Sequence, residues 1–308
     1  MPLGAVGGTR AASPRRLPHA GRAPRKDAGT VGRVSATPFN RIHHLVTVPV
    51  LVGERTARFV LDTGIGLTLL SERLCAAIGC RSGGSTFTGR RMSGQEVTVP
   101  LATAPPLAFG GATRRDHVVG IMALDGFPSE LGAVDGFLSL AFFAAVPFTV
   151  DYAGGVVIVE SCASVEQRAR DGAAVPVRPE RDGPAVDAFM RLDLPGGKTV
   201  EVEIDMGSDS LILDERLADA VGVDLKRDGV RRVQGQDETG HAYTRSFTRL
   251  EGSIRATGTP AVAQPDPEVM FQRIIYDGLV GDAFLRRFTV TYDLPRERVI
   301  FGPGDPSL

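Results

Sequence analysis

The amino-acid sequence predicts an all-β protein, mostly strand with short helices, arranged as two homologous lobes related by a pseudo-twofold axis. Three observations predict this. Apolar residues recur with period two at Val46, Val48, Val50 and Val52, and again at Val200, Val202 and Ile204, the signature of half-buried strands. The segment "ARFVLDTGIGLTLLSERLCAAIG" (Ala57 to Gly79) aligns without a gap on "VEVEIDMGSDSLILDERLADAVG" (Val200 to Gly222), Asp62 falling on Asp205 at an offset of 143 residues. Later blocks recur in the same order, "VDGFLSLAFF" (Val134 to Phe143) with "YDGLVGDAFL" (Tyr276 to Leu285) and "FTVDY" (Phe148 to Tyr152) with "FTVTY" (Phe288 to Tyr292). A repeated order of features marks a duplicated unit.

Residues 1–38 are rich in Gly, Ala, Pro and Arg and show no hydrophobic period, so they are expected to be a disordered basic tail. They lack a continuous apolar region of the kind found in secretory signals. The first lobe is expected over 39–162. It opens with a hairpin centred on Gly53, matched by Gly196 in the second lobe; Pro49 cannot donate to a ladder, which places its strand at an edge. The Asp62 loop follows, then an apolar strand and short helix, and a hairpin carrying Gly89 and Gly94. Residues 163–182, polar, charged and holding Pro176 and Pro179, are expected to be a linker. The second lobe, 183–308, repeats the series with Asp205, Gly235 and Gly240.

Composition excludes several classes of function. Mean hydropathy is +0.02 and 43% of residues are hydrophobic. No apolar run approaches the roughly 20 residues that cross a bilayer, so no membrane span is expected and the compartment defaults to the cytoplasm. The tail holds seven basic residues against Asp27 alone, leaving a net −7 on the rest of a chain whose total is −1. That balance argues against nucleic acid as a partner. His43, His44, His117 and His241 show no metal-ligand spacing, so neither a metal nor another cofactor is expected.

Asp62 alone could be an ordinary turn residue. The repeat gives it a partner. If each lobe presents its Asp at the same place, Asp62 and Asp205 meet at the lobe interface, and two adjoining carboxyls share one proton. The ionised one can take a proton from water while the other hydrogen-bonds the carbonyl under attack, which is hydrolysis without a covalent intermediate.

These residues, and the order in which they recur over about 43–303, resemble the retropepsin-like and pepsin-like aspartic proteases, particularly the two-lobed bacterial aspartyl protease family proteins. The resemblance implies two acid-protease β-barrel lobes and an aspartic endopeptidase acting on an extended peptide or protein substrate. It implies Asp62 and Asp205 as catalytic residues, supported by Thr63 and Gly64 in one loop and Met206, Gly207 and Ser208 in the other. Phe137, Leu138 and Ser139, and Leu279, Val280 and Gly281, would run beneath those loops. Flaps over the substrate would fall near Thr88 to Gln95 and Gln234 to His241, including Thr88, Gly89, Gly94, Gln234, Gly235 and Gly240. With both lobes in one chain, the active unit is expected to be a monomer.

Three positions depart from the family pattern. Met206 stands where a Thr or Ser hydroxyl would bond across to the other loop. Ser139 replaces a Gly and is expected to crowd the first loop. Ile65 replaces a small residue, whereas Ser208 at the equivalent place is expected to hydrogen-bond Asp205 and leave the shared proton on Asp62. Met206 and Ser139 keep open a second reading, a catalytically degenerate peptide-binding protein using the same cleft, and a third in which the Asp loops survive only as turns. The resemblance also allows a short disulfide between Cys75 and Cys80, while three cysteines allow reduced thiols equally. Asp135, Asp209, Asp214 and Asp277 read as caps and turn residues.

Overall fold

The computed structural model describes residues 35–124, 133–236 and 242–304. Each lobe is organised around one short central strand. In the first, Gly136–Leu138 runs parallel to Arg55–Leu61 on one side and antiparallel to Leu69–Ser71 on the other, with Val118–Met122 parallel to the latter. In the second, Gly278–Val280 lies in the same way between Thr199–Ile204 and Leu211–Asp214, with Glu268–Gln272 alongside. The repeat in the sequence is therefore a repeat of strand order. The period-two valines Val46, Val48, Val50 and Val52 are all buried on one face of Leu45–Val52. Pro49 pairs with Arg58 on one side only. Asn40–Ile42 covers the start of its strand and Leu107–Phe109 the end, so the missing N–H leaves no ladder bond unmade.

Local signals behave as their chemistry requires. Ser71 accepts from the Leu74 N–H at 3.0 Å to cap the helix Glu72–Ile78, which ends at Gly79 with φ +70°. Asp214 accepts from the Arg216 N–H at the matching place, but there the chain forms two successive 3₁₀ turns, Glu215–Leu217 and Asp219–Val221. Asp135 and Asp277 accept from the Arg58 and Glu201 amides and tie each central segment to its neighbour. Cys75 and Cys80 form a disulfide around Gly79, Cα atoms 5.2 Å apart, and Cys162 is exposed and free.

The lobes are joined by a shared sheet. Phe148–Asp151 pairs antiparallel with Thr289–Asp293; Val156–Val159 and Ser35–Pro38 continue the sheet on one side, Arg298–Gly302 and Ala173–Pro176 on the other. Under the FTV repeat, only Val150 and Val290 face their own equivalent across this ladder. An antiparallel pair astride a local twofold axis must do this at one point, so the axis passes there. Phe143, Phe148 and Tyr292 stack through the seam, with ring centroids 3.9 and 4.7 Å apart. Beside them the Thr149 and Thr291 hydroxyls meet at 2.7 Å, Thr149 donates to Glu160 at 2.6 Å, and Arg168 donates to the same carboxylate.

Two expected boundaries move. Ser35–Pro38, expected within the tail, is the outermost strand of the shared sheet on the first-lobe side. The expected linker 163–182 is almost wholly regular: a helix Cys162–Asp171, capped reciprocally by Ser161 and Ser164, leads into the strand Ala173–Asp182. Both segments gain their order from strands more than 100 residues away in the chain, Ser35–Pro38 lying against Val156–Val159 and Ala173–Pro176 against Arg298–Gly302. Polar composition does not announce a strand whose ladder partner is far away in the chain.

Thr149 joins the two lobes through buried polar groups, since Glu160 is 1% exposed. Thr149→Val, close to isosteric, strands a buried hydroxyl and weakens the satisfaction of a buried carboxylate. It should lower stability by about 2 kcal/mol, while Thr149→Ser should recover most of the loss; urea unfolding midpoints measure both.

Candidate active site

The strand Arg55–Leu61 ends at Asp62, whose amide donates to Leu138 O at 3.1 Å, and Thr199–Ile204 ends at Asp205, whose amide donates to Val280 O at 3.0 Å. Each carboxylate then accepts from the glycine amide two residues on, Gly64 at 2.9 Å and Gly207 at 2.8 Å. These glycines set the distance between lobes. A Cβ on Gly64 would lie 2.4 Å from Asp205 Cγ, and one on Gly207 2.4 Å from Asp62 Oδ2. Only hydrogen at both positions lets each carboxyl rest on the opposite loop, and the two carboxyls hydrogen-bond each other.

The cross-loop clasp is half present. The Thr63 hydroxyl donates to Ile204 O at 2.7 Å and accepts from the Met206 N–H at 2.9 Å. Met206 cannot return these bonds; its side chain, 2% exposed, belongs to the apolar core. Ser139 does not crowd the first loop. It is fully buried, accepts from the Ala141 amide as a helix cap, and its hydroxyl meets that of Thr68 at 3.1 Å. At the equivalent Gly281 a Cβ would lie 2.5 Å from Ser208 O, so the glycine is indispensable in one lobe and replaceable in the other.

Burial raises both acids, Asp205 well above the ordinary carboxylate range. Asp62 is held lower by the Gly64 amide, the hydrogen bond from Asp205, the nearby His44 imidazole and the Ile65 amide. The two acids therefore share a proton, and the groups around Asp62 favour its ionised form. Ser208 favours ionised Asp205 only through its backbone N–H, and that is too little to offset burial and the adjoining Asp62 charge.

A cavity of about 500 Å³ lies over the pair. The hairpin Arg81–Arg90 with Glu96–Thr103 forms its first-lobe side, and the tip reaches across: Met92 O accepts from the Ile275 amide at 2.9 Å, and Gly94 packs against Ile275. Gly89 lines the cavity. Thr88 is exposed and bonds Thr98 at 2.7 Å on the outer face. The second hairpin, Arg231–Gln236 with Ala242–Arg249, contributes Tyr243, whose hydroxyl would lie 2.8 Å from a Cβ on its cross-strand partner Gly235. Gln234 is exposed, and Gly240 and His241 lie outside the described residues.

Four residues at the site escaped the sequence reading: His44, Asp187, Glu203 and Tyr276. Three carried a usable signal. The 143-residue offset sets His44 on Asp187, and both flank the acid pair: His44 Nε2 lies 3.1 Å from Gly207 O, and Asp187 packs against Gly66. Glu203 precedes Asp205 by two positions in "VEVEID", so strand alternation turns it to the same face. Tyr276, beside Glu203 on the cavity wall, had no such signal. Among the described residues no group of His, Cys, Asp and Glu is arranged to hold a metal ion, and no helix is long and apolar enough to cross a membrane.

Burial, with Glu180, Asp62 and Asp182 nearby, raises Asp187 to about 7. The folded protein thus holds this proton more tightly than the unfolded chain. The resulting stability is complete below the ordinary carboxylate pKa and is lost as pH climbs through 7. Asp187→Asn should match wild type near pH 4 and exceed its melting temperature near pH 8, as thermal unfolding across that range would reveal.

None of the curated proteins matches the chain. Residues 48–140 match a family model described as aspartyl protease. That span runs from the first hairpin through the Asp62 loop and the Arg81–Thr103 hairpin to the strand beneath the loop and the residues just after it. The match supports assigning the chain to the aspartic protease family, and with it a peptidase-type hydrolase at the level of the family.

Proposed function

We propose that the chain is an aspartic endopeptidase in which Asp62 and Asp205 activate a water against a peptide bond. One observation carries this reading: two hydrogen-bonded carboxyls, each resting on the opposite loop, at the base of a cavity covered by a hairpin. Asp62, the more readily ionised, takes a proton from water as its oxygen attacks the carbonyl carbon. Asp205 gives its proton to the carbonyl oxygen. The tetrahedral diol then collapses, the C–N bond breaks, and the proton held by Asp62 passes to the departing nitrogen while Asp205 recovers its own. The substrate would lie extended beneath the Arg81–Thr103 hairpin, held by backbone pairing.

Met206 favours a second reading, a peptide-binding protein without turnover, because one half of the cross-loop clasp is absent. Asp62→Asn and Asp205→Asn decide between them. Each alone should cut hydrolysis of a mixed peptide pool by at least about 100-fold, with the fold retained. Wild type should show a bell-shaped pH profile, falling on the acid side as Asp62 is protonated and on the alkaline side as Asp205 ionises. Because Asp205 is raised so far, activity should persist above the range in which ordinary carboxylates titrate. Binding without cleavage at every pH would leave the second reading standing.

Both acids come from one chain, so the active unit is proposed to be a monomer. Specific activity should be unchanged on serial dilution, checked alongside sizing at each concentration; activity falling with the square of dilution would require a dimer.

A further inference from the structure

The two halves of the cleft floor are built from equivalent rows of side chains, and they differ in one decisive place. In the first lobe Val60, Phe137 and Leu69 stand side by side across three adjoining strands. In the second lobe the matching row is Glu203, Leu279 and Ile212. Leu69, Phe137, Glu203, Leu279 and Ile212 all line the cavity. Glu203 thus occupies the position of a core valine, 4% exposed, on the same face of its strand as Asp205. A carboxyl there is costly unless it meets a countercharge. The strongest influences on it after burial are the acids Asp205, Asp187 and Asp62 and the Tyr276 hydroxyl.

We propose, resting on the endopeptidase reading, that Glu203 makes the second-lobe side of the cleft a subsite for a lysine or arginine side chain of the substrate. The first-lobe side, formed by Leu67, Leu69, Phe87, Val99, Met122 and Phe137, takes an apolar one. The methylene stem of the basic residue would lie along Ile212 and Leu279, and its head would meet Glu203, with Tyr276 orienting the carboxylate. Burial beside three acids favours the neutral form of Glu203 and pushes its pKa well above the usual range. Arrival of a cation reverses that preference, so the subsite favours a charged guest over an apolar one of equal length. Specificity is then a property of one side chain on an otherwise duplicated floor.

The test uses the full chain and hydroxyethylene peptides that cannot be cut, carrying lysine or norleucine on either side of the isostere next to leucine. At one of the two positions wild type should bind the lysine peptide about tenfold more tightly than the norleucine one. Glu203→Val, which copies Val60, should invert the preference, and Glu203→Gln should level it; circular dichroism would verify that both fold. Equal binding or norleucine preference at both positions, a preference that survives Glu203→Val, or no binding at all would overturn the inference. Lysine-selective binding without cleavage of the matching amide peptide would overturn the peptidase reading alone.

Discussion

Everything at this site depends on two carboxyls from opposite lobes being held in hydrogen-bonding contact while buried. Water would separate them, and burial makes each resent the other's charge. They stay together because each rests on the backbone of the opposite loop, where Gly64 and Gly207 present no side chain. They are also anchored from below, where each Asp amide is bound to the strand segment passing beneath it. That contact is unfavourable in isolation and must be imposed by the rest of the fold.

The imposition comes from the shared sheet. With Val150 facing Val290, the stacked Phe148 and Tyr292 and the Thr149–Thr291–Glu160 chain close the seam in a single register. A ladder slip would turn its side chains to the wrong face, and with them the lobes that carry the acid loops. Arg41 of the first lobe pairs with buried Asp282 of the second, a further tie close to the Asp205 loop. The acids thus depend on contacts between segments more than 100 residues apart.

Around this symmetric frame the two halves have diverged where their chemistry differs. Thr63 clasps the second loop and Met206 packs into the core instead of returning the bond. Ser139 caps a helix where Gly281 must leave room for Ser208. His44 beside one carboxyl is matched by Asp187 on the other side of the pair, and Val60 in the core by Glu203 in the cleft. These substitutions set different groups around the two acids: His44 eases the ionisation of Asp62, while the charge of Asp62 opposes that of Asp205. A duplicated fold supplies two equivalent acids, and the divergence of their neighbours gives each a different environment.

Local chemistry by itself determined the strands with alternating valines, the caps at Ser71 and Asp214, the turns at Gly53 and Gly196, and the equivalence of Asp62 with Asp205. Each of these is written within a few residues, or within a repeat that copies them. Only the tertiary structure decided the rest. Ser35–Pro38 and Ala173–Asp182 became strands because distant partners offered them a ladder. Both acids are raised because pKa depends on burial and on charges brought close through space, not on the neighbouring residue in the chain. Glu203 could be assigned to Asp205's face from alternation alone, yet its burial among three acids and its place beside Tyr276 emerged only once the second lobe had folded around it.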